Sequence, residues 1–278
     1  MVKGVKSERR REEILKIVSE WGIVAVKELA KELGVSLLTI RRDLATLEKE
    51  GLIERIWGGV TLKKLHQGEL TFEQRSILNL EEKQAIAKAA ITLIKPKDVI
   101  ALTSGTTVFE LAKLIPDIPD IHVVTHGINT AYYLGQRGVK VIVPGGYLRE
   151  SSLSLVGDKT EAFFKDIYID KCFMGVDGID IDIGVTALYT AEALVYRAMI
   201  EVSKEIIVLA DHTKFGKRKL ALISPIERIN VIITDDGVDP KVLDIFEKRG
   251  IKVMIAKVVK SKTTTRVENL STVSEKGE

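Results

Sequence analysis

Apolar positions in the first 60 residues recur with a helical period. Ile14, Leu15, Ile17, Val18 and Trp21 predict one apolar helix face, ended by Gly22. Val26, Leu29, Ala30 and Leu33 predict a second helix, ended by Gly34. Only Val35 separates that glycine from Ser36, whose hydroxyl suits the N-cap of a third helix running to about Lys49. Ile40, Leu44 and Leu47 would face inward, and Gly51 stops the helix. Leu52–Trp57, then Gly58-Gly59, then Val60–Leu62 predict two short strands about a turn. Helix, helix, tight turn, helix and hairpin is the order of a winged helix-turn-helix domain over 1–62.

Residues 63–80 are polar without a clear period and read as a linker. Beyond them the period changes. A helix over 81–94 (Ala85, Ile86, Ala89, Ala90, Leu93) precedes an apolar strand at 99–102. Further short apolar runs lie at 121–125, 139–143, 171–176, 205–210, 230–234 and 251–256. Helical stretches near 104–115, 127–136, 157–165, 190–203 and 240–249 separate several of them. Strands apolar throughout and interleaved with helices predict a larger α/β domain over 81–256. Its sheet would be Rossmann-like, mainly parallel and covered on both faces. The tail, 257–278, is expected to be poorly ordered.

Composition narrows this picture without changing it. Apolar residues make up 45% and charged residues 29% of 278, which excludes a mainly disordered chain. No uncharged apolar run is long enough to span a membrane, and Met1–Arg11 is charged with no apolar stretch behind it. The expected location is therefore cytoplasmic, with no membrane partner. Cys172 lies in an apolar run and reads as a buried small hydrophobe. His66, His122, His126 and His212 have no metal-ligand spacing, so neither a metal nor another cofactor is expected. Abundant Ile, Lys and Glu with little Asn and Gln is the composition of a heat-adapted protein. The net charge is +3, too small to imply a nucleic-acid partner by itself. Any such argument rests on where the cations lie: Arg9-Arg10-Arg11, Arg41-Arg42 and Lys63-Lys64.

The third helix is the element equipped to read DNA. With Ile40 and Leu44 inward and successive residues about 100° apart, Thr39 and Arg42 project outward and Arg41 lies to one side. Arginine forks onto guanine or grips phosphate, which makes Ser36, Leu38, Thr39, Arg41 and Arg42 candidate contacts. Leu37 and Leu38 either meet a thymine methyl or pack. The alternative is a solvated face with Arg41 and Arg42 paired to Asp43 or Glu48. In the hairpin, Arg55 and the Gly58-Gly59 tip suit a wing lying along the DNA backbone or minor groove. Trp57 suits stacking on the wing base or the linker.

The larger domain is built for a small anion. Strand 99–102 runs into Thr103-Ser104-Gly105-Thr106-Thr107 at a helix start, which offers hydroxyls and free amides together. Thr125-His126-Gly127 and Pro144-Gly145-Gly146 also follow strands, so these loops should gather at the carboxyl edge of the sheet. Gly175–Asp180, with Asp177, and Ala210–Gly216, with Lys214, point to the same edge; Glu192 opens a nearby helix. Ser104, Gly105, Thr106, Thr107, His126, Gly145, Gly146, Asp177, Glu192 and Lys214 are the candidate ligand-binding residues.

Two sets of motifs carry a family resemblance over nearly the whole chain. Val35-Ser36-x-x-Thr39-Ile40-Arg41-Arg42-Asp43-Leu44-x-x-Leu47-Glu48, with Gly51-Leu52-Ile53-x-Arg55, resembles the DNA-binding domain of the DeoR family of transcriptional regulators. Trp57 stands where that family usually has His. Glu82-Lys83-x-x-Ile86-Ala87, Ser104–Thr107, Gly145-Gly146, Gly175-x-x-Gly178-Ile179-Asp180 and Ala210-Asp211-x-x-Lys214-Phe215-Gly216 resemble its sensor domain. Thr103 replaces a common Asp there, and His126 a common Asn.

The resemblance implies a repressor of carbohydrate metabolism genes. It would be a homo-oligomer, dimer or tetramer, on double-stranded operator DNA, controlled by a phosphorylated sugar effector. The sensor domain's likeness to ribose-5-phosphate isomerase raises an alternative, an active sugar-phosphate isomerase fused to a DNA-binding domain. Asp177, Asp180 and Glu192 are its candidate carboxylates. The isomerases carry a lysine after their paired acids, whereas Ile181–Thr186 has none, which suits a binder. A DNA-binding scaffold with a vestigial pocket is a third reading.

Overall fold

The computed structural model describes residues 2–56, 59–63 and 70–259. Trp57, Gly58, Lys64, His66 and the tail from residue 260 lie outside the described residues. The head comprises α1 (Val2–Trp21), α2 (Val26–Glu32), α3 (Leu37–Lys49) and a hairpin of β1 (Ile53–Ile56) and β2 (Gly59–Leu62). Ser36 caps α3 by accepting the Thr39 N–H at 3.2 Å, an interaction worth about 1 kcal/mol. Ile14, Leu15, Val18, Leu29, Ile40, Leu44 and Leu47 close the head's core. Trp21, expected on that face, is instead 52% exposed. It is the last residue of α1, and fully buried Val24, bridged to Val60, fills that end of the core.

The segment read as a linker is partly helical. Its short helix α4 (Phe72–Ile77) carries a capping box, in which Thr71 Oγ1 accepts the Gln74 N–H and Gln74 Oε1 accepts the Thr71 N–H. α5 (Leu80–Ala90) follows, then β3 (Val99–Leu102), α6 (Thr106–Ala112), β4 (His122–Thr125), α7 (Ile128–Gly135) and β5 (Lys140–Ile142). A hairpin of β6 (Tyr147–Arg149) and β7 (Ser154–Val156) leads to α8 (Asp158–Phe163) and β8 (Ile169–Gly175). β9 (Gly178–Asp180) and β10 (Gly184–Ala187) precede α9 (Thr190–Glu201), β11 (Ser203–Leu209) and β12 (Ala221–Ser224). β13 (Val231–Asp235), α10 (Pro240–Lys248) and β14 (Lys252–Ala256) complete the body.

Seven strands form one sheet in the order β14-β13-β11-β8-β3-β4-β5, and every neighbouring pair is parallel. Two apolar clusters cover its faces, one built with α5 and α6 and the other with α9 and α10. Such burial on both sides is why the strands are apolar throughout. From β3 the chain winds outward through β4 to β5, then returns to β8 on the other side of β3 and winds away to β14. The reversal between β3 and β8 opens a crevice at their carboxyl ends, the usual ligand position in open α/β sheets. The smaller antiparallel sheet β12-β10-β9 and the β6-β7 hairpin are additions that short, partly polar strands did not announce.

Candidate functional site

A cavity of about 460 Å³ occupies that crevice, within the size range of small-molecule sites. Ser104, Gly105, Thr106 and Thr107 form one wall, directly after β3. Gly105 is there for its backbone: φ is +143°, which side-chain-bearing residues rarely adopt. Ser104 is clamped from behind. His126 Nε2 accepts its N–H at 2.9 Å, while the Tyr196 hydroxyl lies 3.0 Å from both its Oγ and its carbonyl oxygen.

Asp177, Glu192 and Lys214 also line the cavity. Asp177 accepts the Leu188 N–H at 2.9 Å. Glu192 is buried, and burial pushes its carboxyl above the usual range against the opposing pull of Ser152 and Arg149. Arg149 stands 3.6 Å from it, and Ser154 donates to it at 3.3 Å.

Three sequence-predicted residues are not on the cavity wall. His126 is fully buried behind Ser104. Burial holds its pKa down to about 4, so near pH 7 it is neutral. With Nε2 accepting from Ser104, Nδ1 carries the proton and donates to the Leu155 carbonyl at 3.0 Å. Gly145 and Gly146 lie on the exposed turn into β6. A Cβ on Gly146 would stand 2.0 Å from Thr160 Oγ1, so this glycine serves a close packing contact.

Other lining residues were not among the candidates, and several come from outside the strand-end loops. Arg75 and Leu78 belong to the strap formed by α4 and its flanks, Lys83 to α5, and Asp211 and Lys217 to the segment after β11. Lys16 and Ser19 come from α1 of the head. The lining carries five cations, Lys16, Arg75, Lys83, Lys214 and Lys217, against three carboxylates, Asp177, Glu192 and Asp211. Arg75 donates to the Ser151 carbonyl at 3.2 Å, and its Nε is buried without a partner. Lys83 donates to the Arg75 and Leu78 carbonyls; burial lowers its pKa to about 8. The arrangement favours an anion.

On α3, Arg41 and Arg42 are exposed and Leu38 is 60% exposed. Asp43 and Glu48, the alternative partners of those arginines, are engaged elsewhere. Asp43 is buried and takes Arg10 at 2.5 and 3.2 Å, and Glu48 takes Arg55 at 2.9 Å. Among the described residues neither Arg41 nor Arg42 has a salt bridge. The Ser36 and Thr39 hydroxyls are 2.9 Å apart and bonded to each other. Arg55 is half exposed on the wing and held by Glu48.

No helix among the described residues is long and apolar enough to cross a membrane. Residues 10–65 match the DeoR-like helix-turn-helix domain, and residues 78–236 match the DeoR C terminal sensor domain. The chain is 39% identical to a candidate aga operon transcriptional repressor of Escherichia coli O157:H7, over 88% of this chain and 93% of the relative. It is 33% identical to the HTH-type transcriptional regulator GlpR of Haloferax volcanii, over 88% and 96%. Against the HTH-type transcriptional repressor GlcR of Bacillus subtilis, identity is 30% over 89% and 96%. With both domains and nearly the full length of such relatives matched, the chain belongs to the DeoR family of transcriptional regulators.

Proposed function

We propose that this protein is a repressor of carbohydrate metabolism genes whose grip on operator DNA is set by a phosphorylated sugar or related metabolite. The observation that carries the reading is the cavity, with its surplus of cations and its row of hydroxyls at the carboxyl ends of β3 and β8. Ser104–Thr107 and Lys214 would hold the phosphate by charge-assisted hydrogen bonds, with Asp177 or Glu192 on sugar hydroxyls. Near neutral pH the phosphate is largely dianionic, so lysine and arginine contribute more than hydroxyls alone.

The head supplies the DNA contacts: Arg41 and Arg42 with Ser36, Leu38 and Thr39 toward the major groove, and Arg55 on the wing. Operating as an oligomer, it would present its α3 helices to half-sites about 34 Å apart, or a multiple of that. The strap joins the two activities. Gln74 donates to the Leu52 and Lys63 carbonyls of the head, while neighbouring Arg75 reaches Ser151 of the body and lines the cavity. Phe72 meets Phe109 of α6 edge-on at 5.5 Å, and Ile77 packs on the head's core. A ligand that shifts this turn shifts the head. Relief of repression by the metabolite is the expected sign.

An isomerase would need its carboxylates free beside the reacting carbon. Asp180 is not a lining residue; Arg218 at 2.7 Å and the Asp182 and Ile183 amides hold it, the first being the main reason its carboxyl sits below the usual range. A thermal-shift screen of phosphorylated sugars, with ribose 5-phosphate also assayed for conversion to ketose, tests the reading. Stabilisation without turnover is expected. Turnover above background would make the protein an enzyme, and no shift with any sugar phosphate would leave the pocket vestigial.

A further inference from the structure

We propose that the ligand is held directly by the DNA-binding head, through Lys16 of α1, so that a bound anion bridges head and body. This rests on the reading of the cavity as an anion site. Lys16 and Ser19 are one turn apart and share a face of α1, and that face lines the cavity. The opposite face, with Ile14, Ile17 and Val18, is locked into the head's core, so Lys16 reports the position of the whole head.

Three observations set the geometry. The Arg9 guanidinium lies 4.0 Å from the Glu81 carboxylate at the start of α5, which aligns α1 along the cavity rim. A second, smaller depression between α1 and residues 77–82 also has Lys16 in its lining. Lys16 is exposed and has no hydrogen bond or ion pair among the described residues, so its ammonium is available.

Charge then decides what the contact does. Without a ligand, Lys16 faces a wall whose four further cations, Arg75, Lys83, Lys214 and Lys217, outnumber its three carboxylates, Asp177, Glu192 and Asp211, so the wall is net positive. Like charges across a cavity repel. A dianion placed between them reverses the sign and draws α1 toward the sheet edge. The ligand would therefore act on the head at first hand, in addition to any shift of the strap. Head placement would become part of the binding equilibrium, and DNA that holds the head elsewhere would weaken ligand binding by the same factor.

The test uses the full chain and inorganic phosphate, titrated against chloride at matched ionic strength and followed by thermal denaturation. Phosphate should raise the Tm of the wild type. Lys16→Ala should weaken the apparent affinity about fivefold, the share of one solvent-screened, charge-assisted hydrogen bond. Lys16→Arg should retain most of it, and Lys27→Ala on α2, exposed and away from the cavity, should match the wild type. Equal Tm values without phosphate verify that the variants fold. Hydrogen exchange supplies the second readout: phosphate should protect amides of α1 as well as those of residues 104–107. Wild-type phosphate affinity in Lys16→Ala, or protection confined to 104–107, would overturn the bridge while leaving the cavity an anion site. A wild type indifferent to phosphate would overturn both.

Discussion

Gln74 tests the link between sensing and DNA binding most sharply. Its side chain is 1% exposed and fully used: Nε2 donates to Leu52 O at 2.7 Å and to Lys63 O, and Oε1 accepts the Thr71 N–H at 2.9 Å. Gln74→Ala removes three hydrogen bonds, each worth about 1 kcal/mol net, and leaves a small void. Leu52 O keeps a second donor, the Lys63 N–H at 3.1 Å, so only part of the desolvation penalty is felt. Two of the three join strap to wing, so that tie should weaken by about 2 kcal/mol. Allosteric couplings are typically about 1–3 kcal/mol, so losing the tie is enough to erase one carried by the strap. The assay is the ratio of DNA dissociation constants with and without saturating ligand, by fluorescence anisotropy. In Gln74→Ala that ratio should fall toward the part carried by Lys16, and adding Lys16→Ala should bring it below about twofold; ligand affinity of Gln74→Ala in the absence of DNA should be little changed. Hydrogen exchange should show faster exchange for residues 71–78, verifying that the tie is broken. An unchanged ratio in a variant with a demonstrably loosened strap would refute the coupling route.

Arg42→Ala should weaken DNA binding by about 1–3 kcal/mol and flatten the salt dependence, with no change in melting temperature because the side chain is exposed and has no salt bridge among the described residues. Gly146→Ala should destabilise the body, since its Cβ would collide with Thr160 Oγ1 and the Val156 carbonyl; a denaturant melt should show it, and ligand affinity at a temperature where the variant is folded should stay near wild type. Lys83 predicts a pH dependence. Its folded pKa of about 8 lies below the ordinary 10.5, so the charged form lowers stability below pH 8 and that penalty fades as pH rises toward 10.5. An anion favours the charged amine, so calorimetry should find affinity full just below pH 8 and falling as pH climbs through it. A profile flat to pH 10 would remove Lys83 from ligand binding.

Most of the head was legible because its helices are amphipathic and its boundaries carry caps and glycines. The same logic failed at Trp21, whose spacing fits the apolar face but whose place at a helix end leaves it uncovered. α4 escaped because its buried side includes Gln74, which an apolar period does not count; the pair Thr71-x-x-Gln74, a capping box, was the signal that could have found it. In the body, parallel strands announced themselves as apolar runs, and their loops do converge at one edge. Loop membership could not tell which side chains face the crevice. His126 turns into the core to receive the Ser104 amide, and Gly146 yields space to Thr160. Lys16, Arg75 and Lys83 precede the first strand of the sheet and reach the cavity only because α1, the strap and α5 fold over its mouth.

The central claim is that one chain divides DNA gripping and anion sensing between two domains and connects them. Equilibrium binding to a duplex selected from a random pool by the full chain measures this most directly, at fixed salt, with and without the sugar phosphate found by thermal shift. The ligand should change the dissociation constant at least about fivefold. Lys214→Ala should abolish that change without altering unliganded affinity, and joint replacement of Arg41 and Arg42 by Ala should abolish duplex binding. A dissociation constant indifferent to a ligand that demonstrably binds, or duplex affinity that survives loss of both arginines, would contradict the claim.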